Sequence, residues 1–299
     1  MLTDHSGNSV QIARDYLDSL LVESRIVGAV KPDTTFSFLG KTFRTPLLTA
    51  ALSHIDLVGM AEGARLAGAC VSIGMGDNDE FGQVLATGAK VIKIIKPYAD
   101  PEEVLSRIAF ARDHGALAVG MDVEHAVNVE DAEDSLVAGF QMKQPTQEDL
   151  SRYIRASSLP FFIKGALSVT DALRCRDLGA AGVILSHHNG LMKFAVPPVM
   201  ILPEIRKAVG PDFFLIADGS IESGFDAFKA LARGADAVTM GRALMSPLKE
   251  NGADGVRDVL LKATAQLQAM MIRTGSKNLK DIDPSVIWEP VLYRPCATR

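Results

Sequence analysis

The sequence predicts a (β/α)8 barrel of the TIM-barrel class, one domain spanning residues 1–299. Three observations carry that prediction. First, eight short runs of β-branched and small apolar residues recur, near 46–51, 69–73, 90–95, 117–122, 160–164, 181–186, 213–218 and 236–240. They are continuous rather than alternating, which is how strands buried on both faces read. Second, helical patterns separate the runs, and such alternation implies parallel pairing through right-handed crossovers. Third, the chain has 299 residues, close to the roughly 250 of one such barrel. An open doubly wound sheet is the alternative arrangement of the same units.

Taken in order, residues 1–40 read as a helical and irregular lead-in that caps the barrel's bottom. Five Gly-Ala pairs, Gly68-Ala69, Gly88-Ala89, Gly115-Ala116, Gly179-Ala180 and Gly234-Ala235, each close a helix just before a strand. Glycine suits the left-handed position that ends a helix, and alanine lets that end sit close to the sheet. Asp100-Pro101-Glu102-Glu103 is a helix start, with an N-cap, a proline at the first position and acids in the first turn. Ser168 with Asp171 is another. Residues 123–150 form an extended polar loop after the fourth strand, at the face where barrels place their chemistry. No composition break marks a second domain.

Composition narrows the function classes. At 47% hydrophobic and 22% charged, the chain can bury a large core and is not disordered. The net charge is −5 and no block of like charges occurs, which points away from nucleic acid and membrane surfaces. No window of about 18 apolar residues exists to span a membrane. Asp4, Asp15, Asp18 and Glu23 interrupt the first thirty residues, unlike a secretory signal. Cys70, Cys175 and Cys296 are odd in number and far apart, as expected of reduced thiols in the cytoplasm.

The chemistry-bearing motifs fall at strand ends. Asp218-Gly219-Ser220 ends the seventh strand and Gly241-Arg242 ends the eighth. Glycine leaves backbone N–H groups open to an anion, and Arg242 adds a forked cation. The loops after strands seven and eight are the usual phosphate site of these barrels; tight structural turns are the plainer reading. Lys164 ends the fifth strand. It either reaches solvent, stabilises an anionic ring, or forms a Schiff base as in an aldolase. Ser186-His187-His188-Asn189-Gly190 ends the sixth strand. Adjacent histidines alternate in direction, so one of them, His188, is expected to face substrate and take a proton. No metal-ligand spacing occurs, and no metal is expected. Asp122 ends the fourth strand, where its carboxylate can pair with a histidine from the sixth. Lys93 lies inside the apolar third strand, where it either meets an anion in the barrel or marks a strand boundary that lies elsewhere. His54, His125, Arg44 and Arg233 stand alone and receive no role.

Together these pieces resemble the FMN-dependent 2-hydroxy acid oxidase and dehydrogenase family. The similarity runs from about residue 25 to the C-terminus. It is densest in Lys164-Gly165, Ser186–Gly190, Val196-Pro197, Leu202-Pro203-Glu204-Ile205, and Asp218-Gly219 through Phe228–Ala232 to Gly241-Arg242. The resemblance implies FMN as cofactor and a homo-oligomer, a tetramer in many relatives. It implies that Ala50, Ala51 and Leu52 lie along the flavin ring, that Gly74 and Ser186 contact it, and that Lys164 stands near its N1 and O2 edge. Asp218, Gly219, Ser220, Gly241 and Arg242 match the phosphate cradle. His188 matches the catalytic base and Asp122 its carboxylate partner.

Three departures stand out. Where the family carries a substrate-carboxylate arginine, this chain has Leu191, which cannot replace a bidentate clamp. Met192 and Phe194 replace polar neighbours, so Leu191, Met192 and Lys193 are expected to line an atypical, more apolar substrate pocket. The family's third-strand tyrosine aligns with Lys93, placing that lysine among the catalytic candidates. The expected function is FMN-dependent oxidation of a 2-hydroxy acid or related alcohol. A redox-neutral isomerase of the type 2 isopentenyl diphosphate isomerase kind, or a barrel that binds FMN or a phosphorylated ligand without catalysis, are the alternatives.

Overall fold

The computed structural model describes residues 7–126 and 139–289. Eight parallel strands form the central sheet: β1 (Leu47–Thr49), β2 (Val71–Ile73), β3 (Val91–Ile95), β4 (Ala118–Asp122), β5 (Phe161–Lys164), β6 (Gly182–Leu185), β7 (Phe214–Asp218) and β8 (Ala237–Met240). Each falls within one of the eight runs read from the sequence. Neighbours pair in parallel from β2 through β8, and β8 pairs with β1. Bridges Leu48–Cys70 and Leu52–Ile73 bring β1 against β2 and close the barrel.

Alternation along the strands sorts the side chains. Leu48, Ile92, Ile94, Ala118, Phe162, Ile184, Ile216 and Ala237 fill the barrel interior. Val71, Val91, Val119, Phe161, Val183, Leu215 and Val238 face the helices. Those helices are α2 (Leu57–Ala67), α3 (Asn78–Ala86), α4 (Pro101–Asp113), α5 (Gln147–Ser157), α6 (Val169–Asp177), α7 (Pro198–Val209), α8 (Gly224–Ala232) and α9 (Arg242–Arg273). The starts read at Asp100 and Ser168 are real caps: each side chain accepts a backbone N–H of its helix. Gly252 breaks α9, with φ +56 and ψ −138.

The lead-in divides into two parts with different destinations. A hairpin of Phe36–Phe38 and Lys41–Phe43 plugs one end of the barrel, its Phe36, Phe38 and Phe43 joining the interior cluster. Helix α1 (Ser9–Ser19) takes no part in that plug. It packs along α7 and α8: Arg14 pairs with Asp226 at 2.6 Å, and Lys229 Nζ donates to Leu17 O at 2.6 Å. Its first turn reaches the other end of the barrel, where Ser220 Oγ donates to Val10 O. Of the long polar connection at 123–150, residues 127–138 lie outside the described residues.

Candidate active site

Strand parity assembles the site. The inward-facing positions of β4, β5, β6, β7 and β8, extended to the C-terminal rim, are Asp122, Lys164, Ser186, Asp218 and Thr239. They continue the rows that hold Ala118, Phe162, Ile184, Ile216 and Ala237 in the core. Asp122 and Lys164 are register partners across β4 and β5. So are Asp218 and Thr239 across β7 and β8, where Thr239 Oγ1 donates to Asp218 Oδ1 at 2.7 Å.

One half of the rim is built from backbone. Ala50, Ala51, Leu52, Asp218, Gly219, Ser220, Gly241 and Arg242 line a single cavity, which Lys164, Ser186, His187 and His188 complete. Gly219 has φ +132 and Ser220 φ +57, so the turn after β7 occupies a backbone region that favours glycine. A Cβ on Gly241 would lie 3.1 Å from the Ala50 Cβ, inside this cradle. Helix α9 starts at Arg242 without a side-chain cap, which leaves its first N–H groups directed to the cavity. Arg242 reaches Ser220 Oγ at 3.3 Å and Glu222 at 3.4 Å. Arg14, unremarked in the sequence, donates to Ser220 O at 2.8 Å and holds this turn from α1.

The other half is built from charge. Asp122 Oδ2 lies 3.0 Å from His188 Nδ1, 3.3 Å from Lys164 Nζ and 3.3 Å from Lys96 Nζ. Burial opposes ionisation of Asp122, yet Lys164, the His188 hydrogen bond and Lys96 hold its carboxyl well below the usual range. Burial also works against the Lys164 charge, but Asp122, Asp218 and Glu124 raise it above an ordinary lysine. His188 is pushed down to about 4 by burial and by Lys164, against the pull of Asp122. Glu124 is pushed up to about 8, chiefly by burial, and its Oε2 is buried without a hydrogen-bond partner among the described residues.

Several expectations change here. Lys93 does not face the barrel mouth. It sits between the inward Ile92 and Ile94, so parity turns it outward, where its Nζ bonds Gly74 O at 2.8 Å and lies over the Phe81 ring of α3. Lys96, three residues on, carries the inward parity instead and is the cation that meets Asp122. Gly74 does not line the cavity; it packs against Ala51–Ser53 from behind, where a Cβ would meet Ser53 Oγ at 2.7 Å. Leu191, Met192 and Lys193 are not among the cavity's lining residues. Their loop is tied to α1, with Ser9 Oγ donating to Met192 O, and Met192 is 62% exposed. His187 and His188 both line the cavity, because positive φ at His188 and Asn189 turns the chain there and cancels the strand alternation. His125, given no role by its sequence context, lies 2.5 Å from His188, Nε2 to Nε2. The ligand atoms of Asp122, His125 and His188 lie within 4.8 Å of one another, a spacing open to a metal ion. The two lysines against Asp122 disfavour a further cation, and Asp122 meets His188 at Nδ1, on the side away from His125.

The cavity fits FMN. His187 Nε2 is buried without a partner among the described residues and faces the Gly219 turn, where a Cβ would lie 3.3 Å away. That orphan nitrogen, the uncapped α9 terminus and the glycine cradle suit a phosphate on a polar chain. Ala50–Leu52 and Lys164 line the same cavity, where the resemblance would set the flavin ring.

Comparisons with known proteins point the same way. The model of the FMN-dependent dehydrogenase family matches residues 126–289. An L-lactate oxidase of Roseobacter sp. (strain GAI101) is 37% identical over 161 residues, 54% of this chain and 44% of that protein. An L-lactate oxidase of Lactobacillus jensenii is 26% identical over 88% of this chain and 73% of that protein. The 37% match thus spans less than half the length of its relative. Among solved structures, mandelate oxidase with 3,3-difluoro-2-hydroxy-3-phenylpropionic acid superposes with a TM-score of 0.86 at 25% identity, over 96% of this chain and 92% of that one. A mandelate oxidase variant with a monooxide FMN adduct gives 0.84 at 25%, over 93% and 91%. With more than half its length matched by the family model, and with this barrel and cradle, the chain belongs to the FMN-dependent dehydrogenase family.

Proposed function

We propose that the chain oxidises a 2-hydroxy acid or related alcohol, with FMN as the two-electron acceptor. The observation that carries this reading is the 3.0 Å contact between Asp122 Oδ2 and His188 Nδ1, set beside the phosphate cradle. Bound FMN supplies an acceptor for the electron pair that leaves the substrate carbon. The residues of the chain supply the rest. With Nδ1 turned to Asp122, His188 keeps Nε2 for the hydroxyl proton. Asp122, ionised, fixes the ring and stabilises the imidazolium that forms. Once the Lys164 ammonium turns toward an anionic cofactor, Asp122 becomes the dominant neighbour of the imidazole, and His188 becomes a stronger base. Ser186 Oγ accepts the His188 N–H at 2.9 Å and holds the turn that carries the base.

The buried free thiols of Cys70 and Cys175 support a reducing, cytoplasmic setting. No helix among the described residues is long and apolar enough to cross a membrane. Assembly as a homo-oligomer rests on the resemblance. The test is product analysis: FMN-loaded protein is given L-lactate or (S)-mandelate with an artificial electron acceptor. Formation of the 2-oxo acid, matched by acceptor reduction, supports the reading. A purified protein that takes up no FMN, or one that transforms substrate with the acceptor unreduced, overturns it.

A further inference from the structure

We propose that His125 is a second catalytic residue, whose Nε2–H donates to the substrate's hydroxyl oxygen while His188 takes that hydroxyl's proton. This rests on the oxidation proposed above.

One proton must lie between the two rings. His125 follows β4 in the short turn Val123–Ala126 and is 5% exposed. Its ring stands at 86° to that of His188, with centroids 3.9 Å apart and the two Nε2 atoms 2.5 Å apart. Two lone pairs cannot face each other at that distance, so one nitrogen carries a hydrogen. Ionised Asp122 only accepts, and it faces His188 Nδ1. With Asp122 as the partner of Nδ1, His188 carries its hydrogen there and its Nε2 is the acceptor. Lys164 Nζ lies 2.8 Å from the same Nδ1 and 3.3 Å from Asp122 Oδ2. An ammonium only donates, so the Nδ1–H tautomer requires Lys164 to turn from Nδ1 to the carboxylate or to the cofactor. The donor is then the Nε2–H of His125.

A hydroxyl that delivers its proton to His188 Nε2 must replace His125 at that nitrogen, and with the rings parted to admit it, its oxygen meets the His125 N–H. The O–H bond breaks and an N–H bond forms at His188. The C–H electron pair leaves with its hydrogen to the flavin, the named oxidant, and C=O forms. The His125 N–H bond stays intact and holds the oxygen as charge builds on it, the role of an oxyanion donor. With Leu191 in place of an arginine and Lys93 turned away, His125 is the described side chain at hydrogen-bond distance from the basic nitrogen.

The test compares His125→Leu with His125→Gln, which keeps an N–H donor without an imidazole. The readout is the anaerobic rate of flavin reduction at saturating (S)-mandelate or L-lactate. His125→Leu should slow reduction by about 100-fold, and His125→Gln should recover to within about 10-fold of the parent. Affinity for FMN should be unchanged in both. Reduction by His125→Leu at the parental rate, or a change confined to KM, overturns the proposal; so does a His125→Gln as slow as His125→Leu. His188→Ala serves as the reference: if it too reduces normally, the oxidation reading itself has failed. A readout free of turnover is the nitrogen–nitrogen scalar coupling between the two Nε2 atoms, in cofactor-depleted, ¹⁵N-histidine-labelled protein. Its presence in the parent and loss in His125→Gln support the shared proton, and its absence from the parent overturns it. Flavin reduction abolished by a chelator and restored by Zn²⁺ would also overturn it, in favour of two imidazole ligands. Should His125→Leu fail to fold, His125→Gln and the coupling still decide.

Discussion

The two halves of the barrel mouth work by different physics. The β7–β8 half is a shape: Gly219, Ser220, Gly241 and the start of α9 present backbone, and its side chains mainly brace turns. The β3–β6 half is a balance of charges: Asp122, Lys164, Lys96, Glu124, His125 and His188 lie close together, and several of their proton affinities are moved by their neighbours. A shape tolerates changes of charge and fails when a Cβ fills it. A charge cluster tolerates small changes of shape and fails when one member is neutralised. Binding of FMN should therefore depend on the first half, and reduction of FMN on the second.

Crossing the two sharpens the contrast. The largest effect is expected from Asp122→Asn, which keeps the size of the side chain but removes the charge that supports the His188 imidazolium. Anaerobic flavin reduction should fall on the order of 1000-fold, while FMN affinity by fluorescence titration stays near the parent's. Equal losses in both would break the division. Next, Gly219→Val forces a branched residue to φ +132 and sets its Cβ against His187. Such strain is of order 1–3 kcal/mol, so FMN should bind about 10- to 100-fold more weakly, with reduction of the remaining bound flavin little changed. The smallest effect concerns Glu124. Burial pushes it up to about 8 from the usual 4.5, so the folded state keeps a proton that the unfolded chain gives up. That contribution is complete below the unfolded value and is lost as pH rises through the folded one. Parent stability should fall between about pH 5 and 8 relative to Glu124→Gln, measured as urea midpoints. A constant gap across that range would contradict the buried, protonated carboxyl.

The same division explains what the sequence makes legible. Continuous runs such as Val91–Ile95 and Gly182–Leu185 announce themselves as buried strands, and the Gly-Ala pairs punctuate them. The cradle is readable because Asp218-Gly219-Ser220 and Gly241-Arg242 both fall at strand ends, the seventh and the eighth, where such barrels hold phosphate. The charge cluster is less so. Lys93 and Lys96 look alike in the string Val-Ile-Lys-Ile-Ile-Lys, and only counting inward positions from Ile92 and Ile94 separates the one facing Phe81 from the one facing Asp122. His125 carries no local signal, since its meeting with His188 joins residues 63 positions apart. The direction of His187 escapes strand alternation because the chain leaves β6 through positive φ at His188. The course of α1 depends on Arg14 finding Asp226, a pairing that periodicity does not encode.

The central claim is that FMN held by the β7–β8 cradle lies where the His188 imidazole can take a proton from substrate. Anaerobic titration of FMN-loaded parent and His188→Ala with (S)-mandelate and L-lactate, followed in the flavin's visible absorption band, tests it most directly. The account predicts bleaching of the parent by at least one of these acids, and a His188→Ala protein that binds FMN but keeps its colour. Full bleaching of His188→Ala at the parental rate would contradict it.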